Sequence, residues 1–235
     1  MALPKLESPK YEIKLPSLNR KIAYRPFLVK EEKILLVAME SQDQGQIVSS
    51  MKDLIRACTF DKVNPDELPI FELEYLFLKI RSKSVGEVVK LNFKCESCEK
   101  HNPQDVNLDE VQLETSQVNN KIKLNDKVGV VLRWPRVDTI LELSMMSDEK
   151  QKESIIDVVL GCIVSIFDDK KVYPVEDQSR EELIQFIESL SQAQFKMIQD
   201  YLEQMPKLSH TVKYECIHCK TENTFTIKGL QNFFS

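Results

Sequence analysis

The chain has 235 residues, 42% apolar and 29% charged, with a formal net charge of −5. That length supports a sizeable core in one large or two small domains, and the acidic balance counts against the basic surface that nucleic-acid binding needs. No apolar run approaches the roughly 18 residues of a membrane span, and the first residues carry no signal-peptide pattern.

Only 5 Gly accompany 10 Pro, which favours helices over a many-turned all-β fold. Residues 1–10, with Pro4 and Pro9 among charges, read as an extended N-terminal arm. Tyr11–Leu15 and Lys21–Arg25 alternate apolar and polar residues around the turn chemistry of Pro16-Ser17-Leu18-Asn19, which predicts a hairpin. Lys30–Ser41 is expected to be helical, with Glu31 and Glu32 suiting its first turn. Its apolar residues Ile34, Leu35, Leu36, Val37 and Met39 spread widely, so burial on more than one side is expected. A second helix, Gly45–Cys58, carries one stripe through Ile47, Met51, Leu54, Ile55 and Cys58. A third, Ile70–Ser82, has the density of large apolar groups expected of a central core helix.

Strand-like segments Glu87–Phe93 and Gln104–Leu108 then flank a C-x-x-C turn. Val118–Leu124 and Val128–Trp134 read as strands joined by Asn125-Asp126-Lys127, and Pro135 ends the second. Helices are expected over 137–146, 149–167, 181–190 and 192–205, with Ser179 and Glu182 spaced as a capping box and Lys171–Pro174 extended. His210–Tyr214 and Thr224–Ile227 flank a second C-x-x-C, and Phe233 and Phe234 close an apolar tail.

The two turns, Cys95-Glu96-Ser97-Cys98 and Cys216-Ile217-His218-Cys219, have matching surroundings. Phe93 and Tyr214 stand two residues before the first Cys, and Asn102 and Asn223 four residues after the second. Two facing turns of this kind can offer four thiolates at the corners of a tetrahedron, so Cys95, Cys98, Cys216 and Cys219 are the candidate ligands of a structural zinc ion. His101 and His218 could each replace a sulfur, but four sulfurs already fill the site. A redox C-x-x-C usually opens a helix, where the N-terminus lowers thiol pKa. Both copies here precede strand-like segments, which counts against a thiol oxidoreductase. Cys58 and Cys162 sit in apolar helical patterns as small buried hydrophobes. No Gly-rich phosphate loop or G-x-S-x-G elbow is present, so no catalytic residue is assigned and a non-enzymatic role is expected. Trp134 reads as core.

Several blocks resemble the baseplate hub proteins of T-even-type contractile-tailed bacteriophages: Leu3-Pro4-Lys5-Leu6, Tyr11–Ser17, Tyr24-Arg25-Pro26-Phe27-Leu28-Val29-Lys30-Glu31-Glu32-Lys33-Ile34-Leu35-Leu36, Phe93–Cys98, Val128–Pro135 and Cys216–Phe234. The resemblance spans essentially the whole chain. It implies a hub subunit or hub assembly factor, made in the host cytoplasm and destined for, or acting on, the tail baseplate. Its partners would be other hub, spike or tape-measure proteins, bound through the N-terminal arm or the C-terminal tail, with self-association also open to it. A zinc-ribbon adaptor binding a host protein or nucleic acid is the alternative. The expected fold is α+β and predominantly helical, with small antiparallel hairpins and a split four-cysteine clasp resembling a zinc ribbon. Residues 11–83 would form a hairpin and three helices, and 84–235 a strand and helix part closed by the clasp.

Overall fold

A computed structural model describes residues 6–18, 20–114, 118–144 and 155–230, with no side-chain description for 141–144. The chain divides into two compact units, 1–114 with 207–235 and 115–206.

The first unit begins with antiparallel strands β1 (Tyr11–Leu15) and β2 (Arg20–Tyr24), paired Tyr11 to Tyr24 through Leu15 to Arg20. The alternation places Ile13, Leu15, Ile22 and Tyr24 inside. Three helices follow: α1 (Val29–Glu40), α2 (Gln44–Cys58) and α3 (Ile70–Val85). The side chain of Asp43 caps α2 by accepting from the Gln46 N–H at 2.9 Å. Helix α3 is the centre of this unit. Leu73, Leu76, Leu78 and Ile80 are all at most 1% exposed, a distribution that leaves no solvent face along the middle of the helix.

Two of its enclosed polar residues tie the helix to its surroundings. Glu72 accepts from the Ser17 N–H at 2.6 Å and from the Ser17 hydroxyl, tying the β1–β2 turn to the helix. The Lys79 ammonium donates to the carbonyls of Leu108, Asp109 and Val111 at 3.1, 2.7 and 3.1 Å. Burial holds its pKa below the usual lysine value. Helix α3 ends at Gly86, whose φ of 146° lies where side chains rarely go.

Strands β3 (Val88–Lys94) and β4 (His101–Asn107) form a two-stranded antiparallel sheet. Pro103 fits in β4 because a strand with one neighbour need not use every N–H. A 3-10 turn (Leu108–Glu110) leads to β5 (Gln112–Glu114), a strand without a counterpart in the sequence reading. It pairs with the far end of the chain in a sheet ordered β11, β10, β5, where β10 is Lys207–Glu215 and β11 is Glu222–Lys228.

The second unit lies between Glu114 and Lys207. Its sheet runs β6 (Lys121–Lys123), β7 (Gly129–Leu132), β8 (Ile163–Phe167), β9 (Val172–Pro174), antiparallel throughout. Its described residues also form helices α4 (Val137–Ser144), α5 (Ile155–Cys162), α6 (Arg180–Glu188) and α7 (Gln192–Glu203). Leu132, Val159, Leu160, Ile163, Leu183, Ile187, Ile198 and Tyr201 belong to its core. Trp134 stacks on Tyr201 with ring centres 4.2 Å apart. The expected capping box forms at Ser179 and Glu182, and a second forms at Ser191 and Gln194.

Two expectations are corrected. The chain is not predominantly helical: helix makes up 40% and strand 29%, and the strands among the described residues form four small antiparallel sheets. Part of the excess strand comes from the expected helix over 149–167. Its helical part stops at Cys162, and Ile163-Val164-Ser165-Ile166-Phe167 is β8. Three of those five residues are β-branched aliphatics and one is aromatic, and they pack better on a pleated surface than around a helix. The rest comes from β5 and from the longer β4, β10 and β11. The second correction is α1, where Ile34, Leu36, Val37 and Met39 are 52–67% exposed. Only Glu31 and Ala38 of α1 are fully buried. The expectations for Met1–Lys5, Asn19, 145–154 and Phe233–Phe234 concern positions outside the described residues.

Candidate metal centre

Each C-x-x-C folds as a tight knuckle at a hairpin tip, and the two knuckles are built alike. The Cys95 N–H donates to the Lys100 carbonyl at 2.9 Å, and the Glu99 N–H to the Cys95 carbonyl at 2.9 Å. In the second copy the Cys216 N–H donates to Thr221 at 2.9 Å, and the Lys220 N–H to Cys216 at 3.0 Å. The residue after each second cysteine is left-handed, Glu99 at φ 58° and Lys220 at φ 63°.

All four sulfurs lie within 4.8 Å of one another. Cys95 Sγ is 3.6 Å from Cys219 Sγ, and Cys98 Sγ is 3.6 Å from Cys216 Sγ. A tetrahedral ion with metal–sulfur bonds of about 2.3 Å separates its sulfurs by about 3.8 Å. The spacing therefore fits a metal ion, and it is well beyond the roughly 2.05 Å of a disulfide. Cys95 and Cys216 are buried, Cys98 is half-buried and Cys219 exposed. None of the histidines belongs to the cluster; His101 and His218 are exposed.

The knuckles are also joined by two asparagines. The Asn102 amide donates to the Lys100 carbonyl of its own knuckle at 2.9 Å, and its oxygen accepts from the Ile217 N–H of the other at 2.9 Å. Asn223 mirrors this, donating to Thr221 at 2.8 Å and accepting from the Glu96 N–H at 3.2 Å. Both are buried, Asn102 completely. Beneath them Phe93 stacks on Tyr214 with centres 5.8 Å apart, and Phe225 lies 5.0 Å from Phe93. The asparagines carry a signal in sequence, the shared Asn four residues after each second cysteine. Their crossed bonding appears only when the hairpins meet.

The cluster favours partial ionisation. The Cys98 N–H, with other neighbouring donors, holds the Cys95 thiol below its usual pKa. Burial pushes Cys216 up, but the N–H groups of Cys219 and His218 and adjacent sulfurs outweigh it and bring the thiol to about 6. Cys98 receives the Lys100 N–H, which lowers it, yet burial and the other three sulfurs push it to about 12. Thiols crowded this closely resist full ionisation without a cation among them. Neither knuckle opens an α-helix, so neither has the helix-terminal field of a redox C-x-x-C. Cys58 and Cys162 are fully buried elsewhere, and burial raises each to about 12.

Among the described residues, no helix is long and apolar enough to cross a membrane. No solved structure matches the chain. Over 226 residues it is 26% identical to the baseplate hub assembly protein gp26 of Enterobacteria phage T4, covering 96% of this chain and 97% of that one. The sequence model for the T4 bacteriophage base plate protein family matches residues 8–235. With nearly every residue inside that match, the chain belongs to the T4 bacteriophage base plate protein family.

Proposed function

We propose that this protein acts in assembly of the phage baseplate hub by binding other baseplate proteins, and that its four-cysteine cluster holds a structural zinc ion. The carrying observation for the first part is the near end-to-end similarity to a hub assembly protein. The sulfur geometry supports the second. Four thiolates on one dication leave a net charge of −2, beside which stand Lys94 and Lys220, each in an ion pair with its own knuckle's Glu99 or Glu215. Such a metal would be a clasp between the β3–β4 and β10–β11 hairpins, stabilising the fold that presents a binding surface. No catalytic step is assigned to it.

Two measurements test the parts separately. Metal analysis of protein purified without chelator should give about one zinc per chain, and Cys95→Ser should lose the metal and several kcal/mol of stability. A metal-free protein of undiminished stability would remove the zinc. Co-expression of the tagged chain with the hub, spike and tape-measure proteins of the same phage should recover at least one of them. Recovery of none, with the chain folded, would sink the assembly reading. Mass spectrometry of finished tails separates a hub subunit, which stays, from an assembly factor, which leaves.

A further inference from the structure

Helix α1 exposes an apolar surface that its own unit leaves uncovered. It rests on the rest of the unit through a narrow side, where Ala38 is buried and Glu31 pairs with Arg25 at 2.9 Å. The opposite side presents Leu36 and Val37, 52% and 67% exposed, with Ile34 and Met39 at its margins, 59% and 53% exposed. Lys33 and Glu40 lie between Leu36 and Val37 on the helical wheel, and neither has an ion-pair partner among the described residues.

The order of these residues is self-complementary under reversal. A dyad placed between Leu36 and Val37 and perpendicular to the helix sets Leu36 of one copy level with Val37 of the other. The same operation sets Lys33 level with the second copy's Glu40 and Ile34 level with its Met39. At 100° per residue Lys33 and Glu40 lie only about 10° either side of the contact line and so face each other across it, while Leu36 and Val37, about 50° either side, each meet their own counterpart. The charges are of opposite sign, the margins are apolar, and the two helix dipoles run antiparallel. A parallel pairing would oppose Lys33 to Lys33 and Glu40 to Glu40.

We infer that α1 is a self-association surface and that its occupant is α1 of a second copy, packed antiparallel about a dyad at Leu36 and Val37. Such an isologous contact closes on itself, so the product is a dimer. The helix is only about 18 Å long, so the interface is small and the affinity modest, on the order of micromolar.

The test is sedimentation equilibrium of the full chain at about 100 μM, far above that constant, with circular dichroism to verify folding. The wild type should be dimeric. Lys33→Glu alone places four carboxylates at the dyad contacts and should yield monomer, as should Glu40→Lys with four ammoniums. The doubly reversed K33E/E40K restores the opposite-charge pairing and should restore the dimer. Both positions are exposed, so the variants keep the fold; Leu36→Glu is a further disrupting variant. A monomeric wild type overturns the inference. A dimer indifferent to single reversal, or one that the double reversal fails to rescue, overturns it as well.

Discussion

Asn102 and Asn223 show how much one side chain can do in the clasp. Each carboxamide joins a carbonyl of its own knuckle to an N–H of the other. Truncating Asn102 to Ala leaves the Ile217 N–H and the Lys100 carbonyl without those partners. A loss of roughly 1–3 kcal/mol is expected, read as a lower urea midpoint, and Asn223→Ala should act in the same direction because it holds the mirror-related bonds. Glu74 on α3 makes the opposite kind of case. Burial alone raises its carboxyl from 4.5 to about 7. The folded state therefore binds more protons than the unfolded chain between those values, so Glu74 favours folding below about pH 4.5, and that contribution is lost as pH rises through 7. Glu74→Gln should raise stability at pH 8 by on the order of 1–3 kcal/mol and flatten the decline between the two pKa values, as checked by urea unfolding across pH. Neither role is visible in composition: a glutamate in a helix looks solvated until its neighbours are known.

At the scale of elements, local patterning was readable where one face of a segment decides its conformation. The β1–β2 hairpin follows its alternation, α3 follows its apolar density, and α6 starts at the Ser179 box. Patterning misled where a continuous apolar run fits two conformations. Over 155–167 the same hydrophobic character serves α5 and then β8 without an intervening loop, and the change comes at Cys162–Ile163. Gly129 belongs to the same sheet for a steric reason. A Cβ there would lie 2.2 Å from the Phe167 ring and 2.5 Å from the Ile122 carbonyl. Helix α1 shows the limit from the other side. Its apolar residues predict burial, but what a helix buries depends on what is beside it, and here its own unit covers only the Glu31 and Ala38 side.

At the scale of the whole molecule, the decisive pairing is β5 with β10, whose register sets Glu114 opposite Lys207. The ends of the second unit's segment are therefore neighbours on adjacent antiparallel strands. Replacing 115–206 with Asn-Gly should close β5 and β10 as an ordinary two-residue hairpin. The shortened chain should fold cooperatively and bind metal with the stoichiometry of the full chain; a disordered or metal-free product, judged by circular dichroism and metal analysis, would refute this. The sequence by itself determined the family, the two knuckles with their aromatic and asparagine flanks, the first hairpin and the central helix. Each of these rests on residues within a few positions of one another, or on similarity along the whole chain. Only the tertiary structure decided that the four sulfurs converge, that the asparagines cross-bond, that β5 joins the chain's far end and that α1 keeps an apolar face outside. Those outcomes depend on contacts between segments distant in the chain, where local signals compete and the free energy of the assembled fold selects among them.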